Sequence, residues 1–168
     1  MEEFQYGSYC GLYCGACEIM KAYQKELASS VQARWQDLPE RFRKNIREAE
    51  MVCLGCKTDT VFEGCRGCSI RTCAKEKNVE SCILCIDYPC QLVKDRQDHM
   101  AKARTILPHT RVMFKNLDVI REKGMDGWLK EREHDWKCPQ CGTGFSWYQE
   151  LCEKCGRELI SLKEHNKF

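Results

Sequence analysis

Cysteines constrain this chain more than any other residue type. Fifteen of its 168 residues are cysteine, and twelve of these stand in pairs separated by two residues. Two intervening residues let a tight turn direct both thiolates at one ion, so such pairs are typical of tetrahedral metal sites. Because metal-binding energy is folding energy, the sequence predicts a fold that metal holds together as much as apolar packing does.

The predicted ligands fall into three groups along the chain, and all fifteen cysteines are included. They are Cys10, Cys14 and Cys17 at the start, Cys53, Cys56, Cys65, Cys68, Cys73, Cys82, Cys85 and Cys90 in the middle, and Cys138, Cys141, Cys152 and Cys155 near the end. Disulfides are the alternative use. An odd number of cysteines disfavours a closed disulfide framework, and the pair spacing favours ligands.

Composition and charge limit the cellular setting. The first residues contain neither a basic segment nor an apolar one, which predicts no secretory signal, and no apolar run is long enough to span a membrane. A cytoplasmic protein with reduced thiols is therefore expected. The formal net charge is +2, and thiolate ligands make the metal-bound protein acidic, which disfavours nucleic acid as a partner.

Hydrophobic periodicity predicts helices on both sides of the cysteine-rich middle, and the fold class follows as a small metal-stapled α+β protein. Helices are expected over 18–36, 39–49, 91–107, 109–123 and 127–136, the fourth ending at Gly124, with loops and turns over 51–90. These helices surround a multi-metal core. The predicted division is a cysteine-rich metal-binding domain at 1–95, a helical segment at 96–135, a zinc ribbon at 136–162 and a tail at 163–168.

The last four cysteines predict a β-hairpin zinc ribbon. Each knuckle ends in glycine, Cys-Pro-Gln-Cys-Gly first and Cys-Glu-Lys-Cys-Gly second, which permits the turn that aims backbone amides at sulfur. A closed site of four cysteines normally has a structural role. Trp147 and Tyr148 offer an alternative use for the ribbon, as an exposed platform for a base or a protein.

The central eight cysteines match two four-ligand sites in number. The simplest partition takes the first four for one site and the last four for the other, and interleaved partitions stay open because sequence fixes ligands better than their pairing. Zinc is the first choice for these sites. An iron–sulfur cluster is the alternative, since four thiolates suit both.

The first three cysteines lack a fourth partner in the sequence. The fourth position could be filled by His99, His109, His134, another side chain or an exchangeable small-molecule ligand. An open position distinguishes catalytic metal sites from structural ones. If the protein is an enzyme, this triplet is therefore where its chemistry is expected.

Several linked motifs in the first part of the chain are specific enough to suggest a family. They are Tyr-Cys-Gly-Leu-Tyr-Cys-Gly-Ala-Cys at 9–17, Gly-Cys-Arg-Gly-Cys-Ser-Ile-Arg-Thr-Cys-Ala-Lys-Glu-Lys at 64–77, and Tyr-Pro-Cys at 88–90 after the pair Cys82 and Cys85. Over about residues 8 to 95 the chain resembles a prokaryotic cysteine-rich family catalogued as domain of unknown function thirty-seven ninety-five. The resemblance implies metal binding through these cysteines in a bacterial or archaeal cytosol and implies no reaction.

Two functions compete at this stage. The first is a non-catalytic zinc protein, carrying several ions and as many as four, whose surface binds a protein partner. The second is a redox or transfer enzyme with an iron–sulfur cluster or a Lewis-acid zinc at Cys10, Cys14 and Cys17. Hydrolase, phosphate-loop and nucleotide-binding signatures are lacking.

Overall fold

A computed structural model describes residues 3–103 and 105–166. Positions 1, 2, 104, 167 and 168 lie outside the described residues; they belong to the predicted cysteine-rich domain, helical segment and tail. The six α-helices of the described part are α1 (Glu18–Ser29), α2 (Glu40–Arg43), α3 (Glu63–Arg66), α4 (Ser69–Glu76), α5 (Gln91–Ala103) and α6 (Met113–Asp135). Short 3-10 turns lie at Cys14–Ala16, Trp35–Asp37, Cys82–Leu84, Pro108–Val112, Ile160–Leu162 and Glu164–Asn166.

The predicted first two helices are shorter in the structure. Helix α1 ends at Ser29 because Ser30 takes a left-handed conformation with φ of 56° and donates its amide hydrogen to the Glu26 carbonyl. The apolar period continues to Trp35, which is buried from a separate 3-10 turn. The second helix has one turn, Glu40 to Arg43, where eleven residues were expected.

The prediction of loops alone over 51–90 is wrong, because α3 and α4 lie there. Ile70 and Ala74 stand four residues apart on α4 and are both buried. That spacing places them on the one face through which this helix packs. Tyr9 completes the small core that they form.

Helix α6 covers most of the two last predicted helices and the residues between them, while residues 109–112 lie in a 3-10 turn and Trp136 follows the helix. Its helical conformation is interrupted at Gly124, with φ of 73° and ψ of 170°, as the predicted stop at that glycine requires. Leu117, Ile120 and Trp128 are completely buried along its inner face. The helix therefore supplies one wall of the main core.

The main core contains side chains from both ends of the chain. Tyr13, Ala16, Ile19 and Met20 belong to it, and so do Trp136, Phe145, Trp147 and Leu159. The ring of Tyr13 meets Trp128 edge to face at 6.1 Å. The ribbon segment thus packs on the same core as the first helix.

Around the last four cysteines the backbone forms two isolated antiparallel bridges, Lys137 with Gly144 and Leu151 with Glu158. The described residues contain no β-hairpin there, so the α+β class is not confirmed and the observed fold is mostly helical. In the described part of the chain, every helix is too short or too polar to cross a membrane.

Candidate metal centres

The last four cysteines, which we call the ribbon site, converge on one point. The sulfur atoms of Cys138, Cys141, Cys152 and Cys155 all lie within 4.8 Å of one another. Cys138 and Cys155 are 3.6 Å apart, and Cys141 and Cys152 are 3.5 Å apart. Four thiolates at about 2.3 Å from a tetrahedral ion are about 3.8 Å from each other, so these side chains fit a single metal ion.

Two similar turns build the ribbon site. The amides of Gly142 and Gly156 donate to the carbonyls of Cys138 and Cys152 at 2.8 and 2.9 Å. Both glycines have φ close to +70°, which explains why glycine follows each second cysteine. The Thr143 hydroxyl lies 3.3 Å from the Cys141 sulfur. Hydrogen bonds of Cys141 with the side chain and backbone of Thr143 lower its pKa to about 6, which favours the thiolate that a metal needs.

The N-terminal cysteines lie on a loop that three other segments fix. The Gln5 amide donates to the Leu54 carbonyl at 2.6 Å, which places the loop beside the Cys53 and Cys56 turn. The Cys82 amide donates to the Tyr9 carbonyl at 2.8 Å. On the third side, the loop rests on α6.

The contact with α6 depends on Gly11. Its carbonyl accepts a hydrogen bond from Asn116 Nδ2 at 2.8 Å, and its φ is +82°. A Cβ atom at Gly11 would lie 2.1 Å from the Met113 carbonyl oxygen. Only glycine therefore lets the loop approach the helix this closely.

The structure brings the N-terminal triplet next to the first central cysteines. Burial raises the pKa of Cys14 well above its usual range, and the charges of Cys56, Cys17 and Cys53 raise it further. Burial is also the main cause of the raised pKa of Cys17. The charges of Cys65 and Cys53 raise it further, whereas hydrogen bonds from the Met20 and Ile19 amides oppose the rise. The triplet is therefore surrounded by other thiols, which sequence spacing alone could not reveal.

The structure does not place His99, His109 or His134 as a fourth ligand of the triplet. His99 and His134 are exposed on α5 and α6. His109 is buried against the ribbon segment, where its ring stacks on Trp147 with 3.8 Å between centroids and its Nδ1 lies 2.5 Å from the Tyr148 hydroxyl. Burial lowers the pKa of His109 to about 3, so this imidazole is neutral.

The last four central cysteines line a half-open cavity of about 30 Å³. It is lined by Cys73, Cys82, Cys85 and Cys90 together with Ile70, Ala74, Lys77, Val79, Tyr88, Leu92 and Val93. Burial raises the pKa of Cys82 to about 12, and the charges of Cys10, Cys90, Cys73 and Cys85 contribute. The simplest partition of the central eight cysteines places these same four residues together.

Buried thiols of this kind need a cation to become thiolates. Desolvation keeps them protonated at neutral pH, whereas a bound metal ion stabilises the charged form.

Two polar side chains outside the cysteine pattern also reach sulfur atoms. Arg96 donates to Cys68 at 3.6 Å, and the Ser8 hydroxyl lies 3.4 Å from the Cys10 sulfur. Sequence reasoning missed both, because nothing in the sequence relates Arg96 on α5 to a cysteine 28 positions earlier.

The family described as "Protein of unknown function (DUF3795)" matches residues 6–95, which include eleven of the cysteines and the cavity. The chain belongs to this family. The ribbon site lies beyond the matched residues. No curated protein and no solved structure matches the chain. Membership of the DUF3795 family therefore agrees with the cysteine motifs and assigns no reaction to them.

Proposed function

We propose that this protein is a cysteine-ligated metalloprotein in which the ribbon site holds one zinc ion. The observation that carries the proposal is the convergence of four sulfur atoms within 4.8 Å, with two pairs at 3.5 and 3.6 Å. Zinc is favoured because it has no geometric preference of its own and accepts a tetrahedral set of four thiolates. The two knuckles supply all four ligands from local turns.

The role proposed for the ribbon zinc is structural. Four protein ligands fill a tetrahedron and leave no position for a substrate. The segment between the knuckles supports this role, because Trp147 and Tyr148 are 4% and 8% exposed and so do not form the platform considered above. The Trp147 amide donates to the Ala16 carbonyl at 2.9 Å, and the Tyr148 amide donates to the buried Glu18 carboxylate at 2.7 Å. The zinc would thus hold this segment against the N-terminal cysteine loop.

Zinc analysis of the whole chain tests the ribbon assignment. Cys152→Ser should lower the zinc content by about one ion per chain, and zinc X-ray absorption of the wild type should show sulfur neighbours at about 2.3 Å. Leu151→Ala is the matched control, because this neighbouring side chain is 58% exposed and should leave the zinc content unchanged. Equal zinc content in Cys152→Ser and the wild type would refute the assignment.

The remaining eleven cysteines are proposed to bind metal in the cysteine-rich domain, in a cytoplasmic protein with reduced thiols. Cys53 and Cys56 lie near the triplet and are therefore candidates for the position that the enzyme hypothesis leaves open. A protein partner remains part of the proposal. It is supported by Ile86, which is 98% exposed, and by its half-exposed neighbour Leu84.

A further inference from the structure

The four cysteines around the 30 Å³ cavity, which we call the cavity site, differ in spacing from the ribbon site. A water molecule needs about 10–15 Å³ of such space, and the cavity offers more than that. Sulfur atoms that all lie about 2.3 Å from one point leave no room for a probe of about 1.4 Å radius. The space beside these four cysteines is therefore larger than the gap between four thiolates that share a single ion.

The sulfur atoms show the difference in spacing directly. In the described part of the chain, no three cysteines of the cavity site have sulfur atoms that all lie within 4.8 Å of one another. Among the residues that the structure describes, the ribbon site is the group of three or more possible ligands that meets this limit. The two sites have the same donor set of four thiols and belong to one chain. Their different spacing thus points to different occupants.

Chemistry favours a polynuclear cluster at the wider site. In an iron–sulfur cluster the four thiolates bind different irons, and sulfide bridges fill the space between them. The rest of the lining is mostly apolar, with Ile70, Val79, Leu92 and Val93 around the sulfur atoms. Such a lining leaves only a few donors besides the thiols to tune the cluster.

Three segments hold the cavity site in place. Cys73 lies on α4, and Cys82 and Cys85 flank a 3-10 turn closed by a hydrogen bond from the Cys85 amide to the Cys82 carbonyl at 3.1 Å. Cys90 immediately precedes α5, where the Lys94 amide donates to its carbonyl at 3.1 Å. Lys77, which also lines the cavity, is paired with Asp87. The ligands are thus anchored on both sides of the space.

We propose that Cys73, Cys82, Cys85 and Cys90 hold an iron–sulfur cluster in the cavity that they line, while the ribbon site of the same chain holds zinc. This inference rests on the proposed function in that both require cysteine-bound metal. Loss of zinc from the ribbon and absence of iron from the cavity are separate results, so either can fail alone.

Anaerobic reconstitution of the full chain with ferrous and ferric iron, sulfide and zinc tests the cluster. Iron and acid-labile sulfide should be present in nearly equal amounts, together with the broad visible absorption of a cluster. The double variant Cys85→Ser/Cys90→Ser should lose about two or about four irons per chain, according to cluster type, and keep its ribbon zinc. Cys152→Ser is the matched control and should keep all of its iron.

Cys10 provides a further discriminating variant, because the Cys82 amide donates to the carbonyl of the adjacent residue Tyr9 at 2.8 Å. Cys10→Ser should retain the iron of the cavity site, which is the iron that the double variant loses. Equal iron loss in Cys10→Ser and the double variant would overturn this ligand set. A colourless wild-type protein with zinc in place of iron would overturn the cluster itself.

Alkylation of the wild-type protein keeps the test decisive if the double variant fails to fold. Peptide mapping should show Cys73, Cys82, Cys85 and Cys90 protected from iodoacetamide after loading with iron and sulfide. After loading with zinc alone they should react at least ten times faster, whereas Cys138 and Cys152 should be protected in both samples. Equal protection of the cavity cysteines by zinc alone would contradict the proposal.

Discussion

Trp147→Ala is the substitution that most directly tests whether the ribbon segment is part of the main core. The Trp147 side chain is 4% exposed, and its ring lies parallel to the His109 ring at 5° with 3.8 Å between centroids. Its amide hydrogen bond to Ala16 involves only backbone and should survive the substitution. The variant therefore removes packing without removing a metal ligand or a backbone contact.

The expected loss follows from the buried surface. A buried tryptophan covers about 150–250 Å², which at about 25 cal/mol per Å² corresponds to about 4–6 kcal/mol. Measured losses for substitution of buried aromatic residues by alanine are about 3–5 kcal/mol, and we expect the free energy of unfolding to fall by about 4 kcal/mol. At about 2–4 °C per kcal/mol, Tm should fall by roughly 8–16 °C.

Thermal unfolding at a fixed free zinc concentration measures this loss, because bound metal shifts Tm by mass action. The zinc content of Trp147→Ala should equal that of the wild type at 25 °C. Leu151→Ala, at an exposed position in the same segment, should change the free energy of unfolding by less than about 0.5 kcal/mol. A loss below about 1 kcal/mol in Trp147→Ala with full zinc content would refute the packing of the ribbon segment on the core.

Two further substitutions test other parts of the structure. His109 has a folded-state pKa of about 3, below its usual 6.5, so its contribution to stability is present above pH 6.5 and is lost as the pH falls towards 3. Between pH 7 and pH 5, protonation of His109 in the unfolded chain should lower the free energy of unfolding, measured with urea, by roughly 2 kcal/mol. His109→Phe should remove this part of the pH dependence. An unchanged pH slope in His109→Phe would contradict the neutral buried state. Gly11→Ala should cost more than about 2 kcal/mol by the same assay, because φ is +82° and the Met113 carbonyl blocks the new methyl group. Gly67→Ala, with open space around its Cβ position, should cost less than about 1 kcal/mol, and equal losses in the two variants would contradict the close approach of the loop to α6.

The ribbon site could be predicted because its information is local. Each knuckle closes through a hydrogen bond between residues four apart, from Gly142 to Cys138 and from Gly156 to Cys152. Cysteine spacing and the following glycine encode that turn directly. The extended pairing around the knuckles was overestimated, because only isolated bridges at Lys137 and Leu151 form there.

The surroundings of the triplet could not be predicted because they depend on distant contacts. The hydrogen bonds from Gln5 to Leu54 and from Cys82 to Tyr9 join residues that no periodicity relates. The same limit applies to Trp147 and Tyr148, whose burial depends on Ala16 and Glu18 at the other end of the chain. Helix α4 was missed for a different reason, because its buried face has only two apolar side chains among charged neighbours.

Thiol titration of the anaerobically purified protein tests most directly whether the fifteen cysteines serve as metal ligands. Before metal removal, few of them should react with Ellman's reagent, since coordination holds the thiolates away from the reagent. After unfolding in the presence of a chelator, all fifteen should react without prior reduction. Rapid reaction of most thiols in the native protein, or a requirement for a reductant after unfolding, would contradict the account.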